Sequence, residues 1–283
     1  MAEVRLEIAG LGIRLAGGDT LQRAMALPGM QVFAVPQGTD ELCFTLDASL
    51  QLPPCRLLYS FDIADGSVPA RFGVDAEGVY YYAFGNHGLL RYDMRKPRQV
   101  DMSPMSDLSA LRFALWTAVA MAGLPLGAVP VHSSVVVCNG RAVMCLGESG
   151  TGKSTHTRLW LENIAATHLL NDDSPIVRCC DRGVLVCGSP WSGKTHCYRP
   201  EQYPIAGLLR LEQRPQNTIR RLGTLEAFAA LQPSCPPALA RDERCMDLLV
   251  QFVSNVLQHV PAYRMGCLPN ADAARLSHDT LMP

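Results

Sequence analysis

The sequence predicts two domains of different class: a mainly antiparallel β domain over residues 1–105, and an α/β domain over 106–283 built around a phosphate-binding loop. Three observations carry this. As far as residue 105 the chain repeats short alternating segments, "VRLEI", "ELCFTL", "RLLYSFDI" and "GVYYYAFG", punctuated by Gly, Asp and Pro turns. Beyond that point apolar runs and helical patterns follow one another as strand, loop, helix, strand. Finally, "GESGTGKS" at 147–154 matches the phosphate-loop (P-loop, or Walker A) pattern of G, four residues, G, K and then S or T.

In the first domain, "VDAEGVYYY" reads as a hairpin entry with Asp75 to Gly78 as its turn. Tyr80, Tyr81 and Tyr82 are expected to pack on a half-buried sheet, with a ligand-stacking platform as the alternative. "KPRQVDMSPMSD", with its prolines and polar residues, reads as the linker. The stretch 113–131 carries no charge and approaches the length of a membrane span, but Gly123, Pro125, Gly127 and Pro130 interrupt it. A buried helix from Asp107 to Met121, capped near Ser106, is expected instead.

In the second domain, "SSVVVCNGRAVMCLG" gives two apolar runs joined at Asn139 and Gly140, a tight hairpin turn whose second strand delivers the chain into the loop at 147. Met246, Leu249, Val250, Val253, Val256, Leu257 and Val260 recur at helical spacing and predict a core-covering helix. A strand over Tyr263 to Cys267 and a helix from Ala271 complete the domain.

Composition narrows the function classes. The chain has 283 residues, 48% hydrophobic content and a formal net charge of -1, so it can bury a sizeable core and has no global basic field for nucleic acid or an anionic membrane. The start, "MAEVRLEIAG", lacks a basic flank and apolar run, which sets the expected location as cytoplasmic. The eleven cysteines, odd in number and without CxxC, read as reduced core thiols; adjacent Cys179 and Cys180 have oxidant sensing as their alternative.

Strand "AVMCL" runs into Gly147 and a helical pattern leaves from Lys153, the context a phosphate site needs. Gly147, Gly150 and Gly152 let the backbone fold tightly, so that the amides of Glu148, Ser149, Thr151 and Thr155 and the helix N-terminus face phosphate oxygens. Lys153 is expected on the β- and γ-phosphates, and Ser154 on Mg²⁺. A second stretch, "GSPWSGKT" at 188–195, fits the same pattern. Pro190 removes an N–H from its centre, Trp191 crowds it, and Pro200 and Pro204 prevent a long helix from following, so no second nucleotide site is expected there. Its Lys194 is read as an ordinary surface residue or as a charge offered to the moving phosphoryl group or the substrate. Asp172 and Asp173 in "HLLNDDSPIV" lie where the next strand returns beside the loop, as an acidic pair able to hold a metal and take a proton.

"VHSSVVVCNGRAVMCLGESGTGKST" followed by "LLNDDSPIV" resembles the catalytic domain of HPr kinase/phosphorylase and, in wider outline, the nucleotide core of phosphoenolpyruvate carboxykinase. The similarity spans about residues 130–212. It implies an α/β P-loop catalytic domain of the HPr kinase/carboxykinase type, ATP and Mg²⁺ on residues 147–154, base and metal contacts from Asp172 and Asp173, a catalytic part for His132, and self-association. This chain has Thr155 where HPr kinase has Glu, and lacks its downstream Glu-Arg-Gly signature. The second loop resembles the Gly-Gly-Cys-Tyr-Ala-Lys stretch of ATP-dependent carboxykinases, which makes Lys194 a phosphoryl contact. Among Arg199, Arg210, Arg214, Arg220 and Arg221, Arg210 in "GLLRLE" is the one expected to reach the site.

The resulting expectation is an ATP- and Mg²⁺-dependent kinase acting on a hydroxyl of a protein, peptide or small molecule. Asp172 is its base, Asp173 and Ser154 hold its metal, and the two Asp roles are open to exchange. A carboxykinase-like enzyme and a non-catalytic nucleotide sensor are the alternatives.

Overall fold

The alternating segments of the N-terminal half pair into one nine-stranded sheet. The computed structural model describes residues 2–63, 66–193 and 195–282. Contacts divide it into two units, Met1–Leu126 with Ala238–Met246, and Gly127–Pro237 with Asp247–Pro283.

In the first unit the strands are β1 (Ala2–Ile8), β2 (Leu11–Gly17), β3 (Ala34–Val35), β4 (Leu42–Leu46), β5 (Arg56–Ile63), β6 (Val68–Val74), β7 (Tyr80–Phe84), β8 (Gly88–Tyr92) and β9 (Gln99–Met102). They lie in the order β3-β1-β2-β4-β9-β8-β7-β6-β5. Pairing is antiparallel except where β4 lies parallel to β2 and β9. The Asp75 turn forms as expected: the Gly78 amide donates to the Asp75 carbonyl at 3.2 Å. Tyr80, Tyr81 and Tyr82 are all buried and pack within the sheet, with Tyr82 stacked on Phe72.

Helix α1 (Asp19–Ala26) belongs to this unit, and so does α2 (Leu108–Gly123). The boundary expected at residue 105 therefore falls ahead of a helix that the compact unit keeps. The cause is the apolar surface of α2, which has no polar face to leave in water. Its Phe113 meets Phe61 and Phe84, and Met121 accepts a hydrogen bond from the Tyr82 hydroxyl. The stretch Leu108–Leu126 is long and apolar enough to cross a membrane, and its most apolar 18-residue window is 67% buried inside the protein. Its N-cap is Asp107, one residue beyond the expected Ser106, with the carboxylate accepting from the Ala110 amide at 2.8 Å. The excursion Ala238–Met246 joins this unit through Asp242, which accepts from the Tyr80 hydroxyl, and Arg244, whose guanidinium lies 4.7 Å from the Tyr80 ring centroid.

The second unit contains β10 (Ala128–Pro130), β11 (Ser133–Cys138), β12 (Arg141–Leu146), α3 (Lys153–Asn163), β13 (Thr167–Asp173), β14 (Ile176–Cys180), β15 (Gly183–Cys187), β16 (Gln202–Gln213), β17 (Thr218–Arg221), α4 (Thr224–Leu231), most of α5 (Glu243–His259), β18 (Ala262–Cys267) and α6 (Ala271–Leu281). The strand order is β10-β14-β15-β16-β12-β11-β13, with β18 pairing β16 and β17. β16 runs parallel to both β12 and β18, which is α/β pairing. The β11–β12 hairpin turns at Asn139 (φ 49°) and Gly140 (φ 75°), the left-handed pair that a tight two-residue turn requires.

Every residue of β11 is buried, as is every residue of β12 after Arg141. Val136, Val143 and Cys145 pack with Trp160 of α3 and with Ala273 and Ala274 of α6, so the helix after the first loop is clamped between sheet and C-terminus. That clamp fixes the loop. All eleven cysteines are free thiols, and five are buried.

Candidate functional site

Residues 147–152 turn the chain from the end of β12 into α3, and their glycines are required by backbone conformation. Gly147, Gly150 and Gly152 have φ of 153°, 81° and 100°. The last two face open space, so what selects glycine there is the left-handed region and not crowding. At Gly147 a Cβ would also fall 2.4 Å from Thr151 Oγ1. Gly152 is the N-cap of α3 and supplies no side-chain cap, so the helix start carries its partial positive charge uncovered.

The loop is held from three directions. Lys153 Nζ folds back and donates to the carbonyls of Gly147 at 2.8 Å and Glu148 at 3.1 Å. Arg210 of β16 donates to Glu148 Oε1 at 2.8 Å, and Gln213 to the Gly150 carbonyl at 3.1 Å. Burial pushes the Lys153 ammonium below its usual range, against the raising influence of Asp173 and Glu148. The bond and charge of Arg210 hold the Glu148 carboxyl below its usual range. Arg210 thus reaches the loop, whereas Arg199 pairs with Glu201, Arg214 with Glu212 and Arg220 with Glu226.

The paired aspartates end β13, beside β11, in the register Ser134↔Asp172 and Ser133↔Asp173. Ser154 Oγ donates to Asp172 Oδ1 at 2.9 Å, and Asp172 is buried. Asp173, whose side chain is 43% exposed, meets His132 Nδ1 at 3.2 Å instead. The two carboxylates thus have different hydrogen-bonding partners, although both favour the charged form of Lys153. The expectation coupled Ser154 with Asp173; the hydrogen bond joins Ser154 to Asp172. Behind the pair, the Thr157 hydroxyl links the Ser134 hydroxyl, 2.9 Å away, to the Ser154 carbonyl at 3.2 Å. This ties the first turn of α3 to β11.

The second loop is packed along this same strand end. Asp173 and Ser192 form an isolated β-bridge, and the Gly193 amide donates to the Asp172 carbonyl at 3.1 Å. A Cβ on Gly193 would lie 2.6 Å from that carbonyl oxygen, and one on Gly188 would lie 1.9 Å from the Arg199 oxygen. No helix follows among the described residues from 195 to 201. Lys194 lies outside the described residues.

Asn171 was not singled out in the sequence, although it directly precedes the pair. Fully buried, it accepts from the amides of Asp173 and Ser174 and donates to the Trp191 carbonyl at 3.1 Å. One amide side chain thereby fixes the carboxylate backbone and the second loop together. An Asn ahead of two Asp was the available signal; its reach across to residue 191 was not.

Beside Gly150–Gly152 opens a cleft of about 590 Å³ bounded by Thr155, His156, Leu159, Arg214, Leu268 and Pro269. Its inner wall carries His156, which is buried and pushed down to about 4 by desolvation. His156 Nε2 lies 3.0 Å from Ser277 Oγ, and Trp160 Nε1 donates to that hydroxyl at 2.8 Å.

A serine hydroxyl and a carboxylate side by side are hard oxygen donors that fit Mg²⁺. Among the described residues no group of three or more His, Cys, Asp or Glu could hold a metal. No protein-family model matches this sequence, and no curated protein matches it significantly.

Proposed function

We propose that this chain is an ATP- and Mg²⁺-dependent phosphotransferase, of the HPr-kinase type that the sequence resembles, acting on a hydroxyl of its acceptor. The observation that carries the reading is the Ser154–Asp172 hydrogen bond at 2.9 Å, at the foot of a loop whose glycines are left-handed and whose helix start is uncapped. The loop amides and the α3 N-terminus bind the phosphates, and Lys153 exchanges its two carbonyl partners for phosphate oxygens. Ser154 and Asp172 hold Mg²⁺, the reverse of the first assignment of the two aspartates. When bound, the ion neutralises charge on the β- and γ-phosphates.

Asp173, half-exposed and aligned by His132, takes the proton of the acceptor hydroxyl. The acceptor oxygen forms its bond to the γ-phosphorus as the bridging P–O bond breaks, and ADP leaves with that electron pair. Arg210, already on the loop through Glu148, lends positive charge to the same region. The test is transfer of labelled γ-phosphate from ATP to hydroxyl-bearing peptides and small molecules. Transfer by the wild type that falls about 10³-fold in Asp173→Asn, with ATP affinity retained, is the expected result. Tight ATP binding with no transfer and no hydrolysis would replace the kinase by a nucleotide sensor.

A further inference from the structure

We infer that the first unit carries a binding site of its own for a small zwitterion of the α-amino-acid type, with Tyr81 and Arg91 on its carboxylate and Asp75 and Glu77 on its ammonium group. The site's residues all belong to the unit Met1–Leu126, whereas the phosphate loop belongs to the other. Two turns flank the same end of the β7–β8 pair, Asp75 to Gly78 ahead of β7 and Asp93 to Lys96 after β8. Between them lies a pocket of about 370 Å³, a size that small molecules fill.

The floor of the pocket is a row of three side chains in register across β7, β8 and β9: Tyr81, Arg91 and Asp101. Tyr81 points to the sheet face opposite Tyr80 and Tyr82, whose hydroxyls are taken by Asp242 and Met121. Its own hydroxyl is not taken. Tyr81 is only 7% exposed, yet its hydroxyl has no hydrogen bond among the described residues and is still open to solvent. The surface that this buried residue keeps therefore includes its polar end, and it opens into the pocket that Tyr81 lines. A phenol with its ring sunk in a sheet and its O–H unpaired gains a partner when a ligand arrives.

The charges around that hydroxyl sort into two sides. Arg91 commits Nε and Nη2 to Asp101, at 3.1 Å and 2.6 Å, and keeps Nη1 as a donor next to Tyr81 in the row. Exposed Lys96 adds a cation with no carboxylate bonded to it among the described residues. On the other side, Asp75 and Glu77 are close enough to act on the Tyr81 hydroxyl. Asp75 accepts the amides of Glu77 and Val79 through Oδ1 alone, and its Oδ2 and the Glu77 carboxylate have no partner among the described residues. Donors facing acceptors across a small pocket suit a molecule whose carboxylate and ammonium group lie close together. A phosphate would meet Asp75 and Glu77 as like charges, and a plain amine would leave Tyr81 and Arg91 without a partner.

The experiment is thermal melting of the whole chain with each standard L-amino acid at about 10 mM, followed by calorimetric titration of those that raise the melting temperature. At least one is expected to raise it by about 3 °C or more in wild type. The N-acetyl derivative and the methyl ester of that amino acid, each lacking one charge, are expected to bind at least about tenfold more weakly. Tyr81→Phe removes only the unpaired hydroxyl, and Glu77→Gln only an exposed charge. Both should melt as wild type does without ligand and lose about tenfold in affinity. No shift with any amino acid, or unchanged affinity in either variant, overturns the site. Derivatives that bind as tightly as the parent amino acid overturn the zwitterion.

Discussion

Residues 147–154 and 188–195 have the same spelling and opposite physics. In the first stretch Gly147, Gly150 and Gly152 are glycines because their φ values of 153°, 81° and 100° lie where side chains are strained. In the second, Gly188 and Gly193 are glycines because neighbouring carbonyls stand 1.9 Å and 2.6 Å from where a Cβ would be. One loop uses glycine to turn through the left-handed region into the uncapped start of α3. The other uses glycine to lie flat against Asp172 and against the chain at Arg199. The lesson is that a phosphate-loop pattern reports a conformation only when a helix follows to fix it.

The largest effect should come from the carboxylates that stand where both loops meet. Asp173→Asn is expected to slow phosphoryl transfer about 10³-fold, near 4 kcal/mol, while ATP affinity stays within threefold. Single-turnover kinetics and equilibrium titration together read this. Asp172→Asn should instead weaken Mg²⁺ dependence and ATP binding together, because its partner is Ser154.

Next comes acid. The helix that follows only the first loop is anchored through His156, whose pKa is pushed down to about 4 from an ordinary 6.5. The folded state then binds fewer protons than the unfolded state between these values. The contribution is complete above about pH 6.5 and is lost as pH falls toward about 4, amounting to about 3 kcal/mol. Urea unfolding at stepped pH should show this extra acid sensitivity in wild type and not in His156→Gln.

Two glycine substitutions then sharpen the contrast between the loops. Gly188→Ala should cost about 2 kcal/mol of stability by forcing a carbonyl aside, with ATP affinity of the folded protein unchanged. Gly150→Ala should cost only about 1 kcal/mol for its left-handed φ, yet weaken ATP binding. Equal loss of ATP affinity in both would mean that the second loop also binds phosphate.

Much of this contrast was legible in the sequence. The Asn139–Gly140 turn, the strand before Gly147 and the helix after Lys153 follow from local rules of turn chemistry and periodicity. The prolines at 200 and 204 foretold that no helix follows the second loop among the described residues from 195 to 201. What could not be read were facts of register and partner. Which aspartate meets Ser154 depends on how β13 lies on β11, where a bulge sits between Val135 and Val136. A residue's place in a strand is local, but the face it shows to another element is not. Nor does any local signal send Ala238–Met246 back to the first unit, or place Asn171 under Trp191 and His156 against Ser277.

The most direct test of the difference between the loops is calorimetric titration of Mg·ATP into wild type, Lys153→Ala and Lys194→Ala under identical conditions. The account predicts that Lys153→Ala loses at least about tenfold in affinity and that Lys194→Ala binds as wild type does. Equal affinity of Lys153→Ala and wild type, or a loss confined to Lys194→Ala, would contradict it.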